Sequence, residues 1–168
     1  NALLKENSTE LLDILDLQLA EEGLEIIRTR KKVIEEFNST FSPVFSKVSG
    51  LDAGIRIIYR PSWNPDSSAE DTARLLAAKR NAEFAAGTTL SGPHRDGFFY
   101  YMDKKDFTKI ASTGQTRLIS LSLRTAQADF YRLKTGRKPL VLLDDVLLEL
   151  DKTRKIRFID AFPEYEQA

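Results

Sequence analysis

Three stretches of the chain carry residue types that could do chemistry. The first runs from Pro139 to Asp151, Pro-Leu-Val-Leu-Leu-Asp-Asp-Val-Leu-Leu-Glu-Leu-Asp. Leu140 to Leu143 is wholly apolar, which fits a strand buried on both faces of a parallel sheet. Asp144 and Asp145 follow where that strand would end, and open α/β sheets bind ligands beyond the carboxyl ends of their strands. Two acids there suit a metal ion and a water; the plain alternative is a strand followed by an acidic turn. The second stretch, Ser112-Thr113-Gly114-Gln115, lies directly before a helical pattern. The first turn of a helix offers free N–H groups and a positive dipole end, and small residues let an anion come close. Helices also begin with Ser, Thr or Gly for capping reasons alone, so the order of the motifs carries more than this one does. The third stretch is His94-Arg95-Asp96. It reads either as a structural turn, with Asp96 pairing Arg95 or capping local N–H groups, or as a place where His94 or Arg95 meets nucleotide or DNA.

Helices and strands must position these groups. Ser8 is a candidate N-cap, and Leu11, Leu12, Leu15 and Leu19 give one apolar side. Gly23 weakens that helix without having to break it. Leu24, Ile27, Ile34, Phe37, Phe41, Val44 and Val48 then step by threes and fours, the seam of a long amphipathic helix or hairpin arm. Pro43 inside the pattern predicts a kink, or a restart with Ser42 as cap. Arg28, Arg30, Lys31 and Lys32 ride on this helix among Glu21, Glu22, Glu25, Glu35 and Glu36, which reads as a solvated face before a DNA-binding stripe. Gly54 to Tyr59 reads as a strand and Pro61 to Ser68 as a loop. Ser68 caps a helix that ends near Gly87, with Asp71 at the capping-box position. Short strands are expected at Thr88–Leu90 and Phe98–Met102, and an edge strand at Phe107–Ala111. Thr116 to Leu133 is the most regular helix, ended by Gly136, and Asp151 to Phe162 starts another. Trp63 and Phe98 to Tyr101 read as core and sheet residues in preference to a base-stacking platform. Lys104, Lys105, Lys134, Arg137 and Lys138 read as solvated surface.

Composition narrows the classes. With 168 residues the chain suits one ordinary domain. Lys+Arg and Asp+Glu are 25 each, so overall charge does not steer the chain to nucleic acid. No cysteine excludes a disulfide framework and a thiolate zinc site, and one histidine excludes a multi-histidine metal site. No apolar run approaches the ~20 residues of a membrane helix, and no signal peptide is visible. The expectation is a soluble, cytoplasmic α/β protein. Because it begins with Asn1, a piece of something longer is expected.

The motif order is small polar turn, helix, Gly/Pro turn, apolar strand, two acids, then Leu150-Asp151. This order resembles the ABC-type ATPases, in which a signature motif is followed by a helix, a Walker B strand and a D-loop. The closer resemblance is to the RecF family of bacterial DNA replication and repair proteins, relatives of the SMC proteins. It rests on Leu17-Gln18-Leu19-Ala20-Glu21-Glu22-Gly23, Gly87-Thr88-Thr89-Leu90, Gly92-Pro93-His94-Arg95-Asp96, Ser112-Thr113-Gly114-Gln115-Thr116-Arg117 and Leu142-Leu143-Asp144-Asp145, spread over nearly the whole chain.

The resemblance implies α/β architecture, part of an ABC-type (P-loop NTPase) head. Residues 1–86 would form a helical lobe, lobe II, with long helices and one short strand. Residues 87–168 would form the C-terminal half of the ATPase core. It implies that Asp144 holds Mg²⁺ through water and that Asp145 is the catalytic carboxylate. An aspartate there reaches the attacking water less easily than a glutamate, so slow hydrolysis is expected, more a switch than a motor. It implies that Asp151 is the D-loop aspartate facing a partner subunit, although Leu148 stands where the family has a small residue. Ser112, Gly114 and Gln115 would bind the γ-phosphate of ATP held by the other subunit. No Walker A motif occurs here and no switch histidine follows Asp151, so a fragment is expected that alone binds ATP poorly. The implied partners are single-stranded and gapped double-stranded DNA, a second RecF chain, and the mediators RecR and RecO. The implied setting is recombination and the SOS response. Two alternatives stay open: a non-catalytic protein-interaction module, and the ATPase head of another SMC-like protein.

Overall fold

The computed structural model describes residues 9–51, 54–142 and 150–164. Helix α1 spans Thr9–Ser49, strand β1 Ile55–Arg60 and helix α2 Ala69–Ala86. A 3-10 turn at Pro93–Arg95 leads to β2, Gly97–Met102, and β3, Lys105–Asp106. Helices α3 (Phe107–Ile110), α4 (Thr113–Thr135) and α5 (Lys152–Asp160) follow. The strands form one sheet in the order β1-β2-β3, and β2 and β3 pair antiparallel with Tyr101 opposite Asp106 and Met102 opposite Lys105. Asp103 and Lys104 make the tight turn between them, both at positive φ, 49° and 65°. Two left-handed residues in sequence are what a two-residue hairpin of the right twist requires.

The chain forms two compact units, each from two segments: Asn1–Val33 with Tyr59–Phe98, and Ile34–Ile58 with Phe99–Ala168. This divides the chain differently from the sequential split 1–86 and 87–168, because α1, β1 and β2 each contribute to both units. In the first unit, Leu24 and Ile27 of α1 pack with Trp63 and Leu76. Gly23 belongs to that packing: a Cβ there would collide with the edge of the Trp63 ring, 3.0 Å from Cη2 and closer still to Cζ3. The glycine that weakens the helix pattern is the residue that admits the indole. In the second unit, Phe37, Phe41, Val44, Phe45 and Val48 of α1 pack with Ile55, Ile57, Phe107, Leu118, Ile119 and Phe158. This burial holds the last turns of α1 in place, and the helix runs through Pro43 without the expected restart at Ser42. Asn38 closes the free edge of β1: its amide donates to the Ile57 carbonyl at 2.9 Å and accepts from the Ile57 N–H at 2.7 Å. A buried backbone edge without such a partner would be costly.

Several expected elements differ. Ser8 lies outside the described residues. Thr88–Leu90 is not a strand, because its polar groups are taken by side chains. The Leu90 N–H donates to buried Glu83 at 2.7 Å, and the Thr89 carbonyl accepts from Arg95 at 3.1 Å. Phe107–Ala111 is one helical turn instead of an edge strand, since Asp106 caps it through the Thr108 N–H at 3.1 Å. The helix expected from Thr116 begins three residues earlier, at Thr113. Leu140 makes a single bridge pairing and Val141 and Leu142 no regular structure. Leu140 and Leu142 are 63% and 87% exposed, so the doubly buried strand expected at Leu140–Leu143 does not form over its described residues. A buried strand needs ladder partners on both sides, and Leu140 has one bridge.

Candidate functional site

Ser112 is the N-cap of α4, and with Gln115 it forms a reciprocal capping box. The Ser112 Oγ accepts from the Gln115 N–H at 3.3 Å, and Gln115 Oε1 accepts from the Ser112 N–H at 2.8 Å. Two of the residues expected to bind phosphate are thus also the residues that start the helix. By helix geometry the Thr113 and Gly114 N–H groups have no intrahelical acceptor, and they stand at the positive end of a 23-residue helix. Ala111, Thr113, Gly114, Thr116, Arg117 and Ser120 line an open depression of about 740 Å³ there. A Cβ on Gly114 would meet nothing within 4 Å. The packing of this chain therefore makes no demand for glycine at 114, and the room is on the outer side. Ser112, Thr113 and Gly114 are exposed. Such a corner can take an anion through backbone amides and neutral side-chain donors.

Asp144 and Asp145 lie outside the described residues, as do Leu148 and Glu149. Asp151 is the N-cap of α5: its Oδ1 accepts from the Arg154 N–H at 2.9 Å, and its other oxygen lies 3.4 Å from the Arg154 guanidinium. It stays exposed at that corner.

The structure gives His94, Arg95 and Asp96 unequal parts. The Asp96 side chain is 1% exposed and accepts from Arg30 at 2.8 Å, from the Ser62 N–H at 2.9 Å and from the Tyr59 hydroxyl. Arg30 also donates to the Pro93 carbonyl at 2.6 Å. Burial, helped by the Asp96 carboxylate, raises the Tyr59 pKa to about 12. Asp96 thus pairs with Arg30 instead of Arg95, and the pair ties α1 to the turn. His94 Nε2 sits 3.2 Å from the Thr89 hydroxyl and Arg95 donates to the Thr89 carbonyl, so both rest on their own loop while exposed. Sequence reasoning misses Arg30 because it stands among Lys31, Lys32 and several glutamates. Its one signal is its place on the buried side of α1, one turn from Ile27. Arg28 escapes in the same way; it holds the loop through the Pro65 carbonyl at 2.8 Å and the Ser67 carbonyl at 2.9 Å.

No family model matches the chain. A "DNA replication and repair protein RecF" of Treponema pallidum is 42% identical over 167 residues, covering 99% of this chain and 47% of that protein. Proteins of the same name are 39% identical over 163 residues in Lactobacillus gasseri and 34% over 162 residues in Leptospira interrogans. A solved structure of the recombination mediator protein RecF with ATP in the RecFOR pathway superposes with a TM-score of 0.84 at 29% identity. It covers 99% of this chain and 47% of that one. A second, with an ATP analogue, gives 0.81 at 28% identity, covering 100% and 48%. The chain spans about half the length of the relatives it matches.

Proposed function

The chain belongs to the RecF family of DNA replication and repair proteins, and from that premise we propose that it forms part of an ATP-gated DNA clamp. In this reading two chains close around ATP, and the Ser112–Gln115 corner of one meets the γ-phosphate held by the other. Ser112, Gly114 and Gln115 bind and orient the triphosphate. Asp144 would hold Mg²⁺, Asp145 would take a proton from the attacking water, and Asp151 would face the second copy beside its own capping role. The metal supplies charge neutralisation between the phosphates when bound. Closure holds cytoplasmic DNA at gaps and junctions, where RecR and RecO load a recombinase.

One observation carries the reading: a glycine whose absent Cβ faces open space, at a capped and exposed helix start. That absence serves nothing inside this chain and leaves room for a ligand from outside. Gly114 also gives a cleaner test than Ser112, since Ser112→Arg would remove a helix cap as well as add bulk. In the full-length protein, Gly114→Arg is expected to leave ATP binding largely intact and to abolish ATP-dependent dimers in sedimentation. ATP-dependent dimers that persist in Gly114→Arg would end the proposal. The alternative of a pure interaction module predicts no ATP-dependent change in sedimentation in either protein.

A further inference from the structure

Two helix C-termini meet inside the second unit. Helix α1 ends at Ser49 and α5 at Asp160. Each end carries carbonyls without an intrahelical partner and a partial negative charge, so bringing two together is unfavourable unless cations stand between them. Each helix has one basic residue in its last turn, Lys47 in α1 and Arg157 in α5. The fold exchanges them. Arg157 Nη1 donates to the Ser49 carbonyl at 3.4 Å, and Lys47 Nζ donates to the Asp160 carbonyl. Gly50 completes the seat. It lies at φ 72°, and a Cβ there would fall 2.5 Å from Arg157 Cζ and closer still to Nη1. That glycine turns the chain out of α1 and leaves the guanidinium its place. Phe158, 2% exposed, anchors the same end of α5 in the core that holds Val44, Phe45 and Val48. At the other end of α5, Lys152, Thr153 and Arg154 are exposed, and Asp151 bonds to Arg154 of its own helix.

We propose that the exchange is a clasp that sets the direction of α5 and so positions Asp151 for the second copy, with Lys47 and Arg157 as positioning residues. The proposal rests on the reading above in which Asp151 faces a second chain, and it names what holds that corner. Helix α5 is nine residues, about 13 Å long. A tilt at its clasped end therefore moves the Asp151 corner at the other. Both cations are exposed, and water can satisfy an exposed helix end. The crossing thus adds little to stability, while two contacts running in opposite senses fix how the helices lie against each other.

The test uses the full-length protein and two readouts. Hydrogen exchange without nucleotide reads the clasp itself. Arg157→Gln and Lys47→Gln should each speed exchange within residues 152–160 about fivefold, with residues 113–120 unchanged. Sedimentation with ATP reads the consequence. The same variants should bind ATP as wild type does and weaken the ATP-dependent dimer about tenfold. Arg157→Lys keeps the charge and should restore most of the dimer. Gly50→Ala keeps both cations but fills the guanidinium's seat, so it should act like Arg157→Gln and add little to it in the double variant. Lys32→Gln, which removes an exposed cation elsewhere on α1, should change neither readout. Circular dichroism melting of the variants is expected to stay close to wild type. Unchanged exchange in α5 would overturn the clasp. Faster exchange with an unchanged dimer would overturn the positioning role and leave the clamp reading standing. A wild type that forms no ATP-dependent dimer would end both together.

Discussion

In the first unit, the packed cluster among the described residues is four buried apolar side chains, Leu24, Ile27, Trp63 and Leu76, with Leu12 and Ala20 buried outside it. In the second it is fifteen, among them Phe37, Phe41, Phe45, Phe107 and Phe158. The first unit makes up the difference with charge. Arg30 and Asp96 lock the turn to α1. Arg80 binds Asp13 at 2.6 Å and Asp16 at 2.5 Å, joining α2 to the start of α1. Burial works against the charge on Arg80, and the hydrogen bonds to Asp16 and Asp13 outweigh it, so its pKa is raised. In the second unit the aromatic rings carry the contact: Phe37 meets Phe130 edge-on at 5.4 Å, and Phe158 meets Phe162 at 4.9 Å. One helix, α1, serves both units with opposite chemistries on its two halves. Small cores need directional polar contacts to fix a geometry, while large ones reach it through packing.

That contrast can be broken in order of expected effect. Phe41→Ala removes a fully buried ring from the larger core and should cost about 3–5 kcal/mol, seen as a lower midpoint in urea denaturation. A loss under about 1 kcal/mol would mean the core is not built around α1. Asp96→Ala strands Arg30, the Tyr59 hydroxyl and the Ser62 N–H together. Because Arg30 keeps 38% side-chain exposure, the loss should be about 2–3 kcal/mol, below the full cost of a wholly buried pair. Trp63 is the one tryptophan and sits in the first unit, so its fluorescence reports that unit alone. Asp96→Ala should shift the Trp63 transition first, and Phe41→Ala should move the circular dichroism transition more.

Smaller effects sharpen the comparison. Gly23→Ala sets the helix-propensity gain of about 1 kcal/mol against overpacking on Trp63 of about 1–3 kcal/mol. A net loss with a red-shifted Trp63 emission is expected, and a stabilised protein would refute the close approach. Ser112→Ala should lower stability of the second unit by about 1 kcal/mol through loss of the cap, with Trp63 emission unchanged. The pH dependence separates the units again. Tyr59 keeps its proton in the fold up to about pH 12, while an unfolded tyrosine loses it near 10. Its contribution is therefore full below pH 10 and disappears as the pH rises towards 12. Between those values wild type should lose stability faster than Tyr59→Phe, and parallel curves would show that the Tyr59–Asp96 contact contributes nothing.

Much of the fold is legible in the order of the residues. The three-and-four spacing marks α1, Ser68 and Gly87 bound α2, and Gly136 ends α4, because caps and periodicity are local properties; the start of α4 lies three residues before the expected Thr116, at the Ser112 cap. Ser-x-Gly-Gln marks the exposed, capped corner at Ser112–Gln115 for the same reason. The differences share a cause. Thr88–Leu90 and Phe107–Ala111 have the composition of strands, but Glu83, Arg95 and Asp106 take over their backbone groups. Pro43 has the character of a break, but the rings beside it are buried. Asp96 has Arg95 as its neighbour, and its partner is 66 residues away.

The sequence by itself determined where the long helices lie, which positions are apolar, and which family the motifs belong to, because each depends on neighbours a few residues apart. Only the tertiary structure decided that Arg30 is the cation for Asp96, that Gly23 makes room for Trp63, and that Tyr100 packs beside Phe41. Those outcomes depend on which distant groups meet in a place that water has left, and there a single ångström or a single unmatched charge outweighs any local preference.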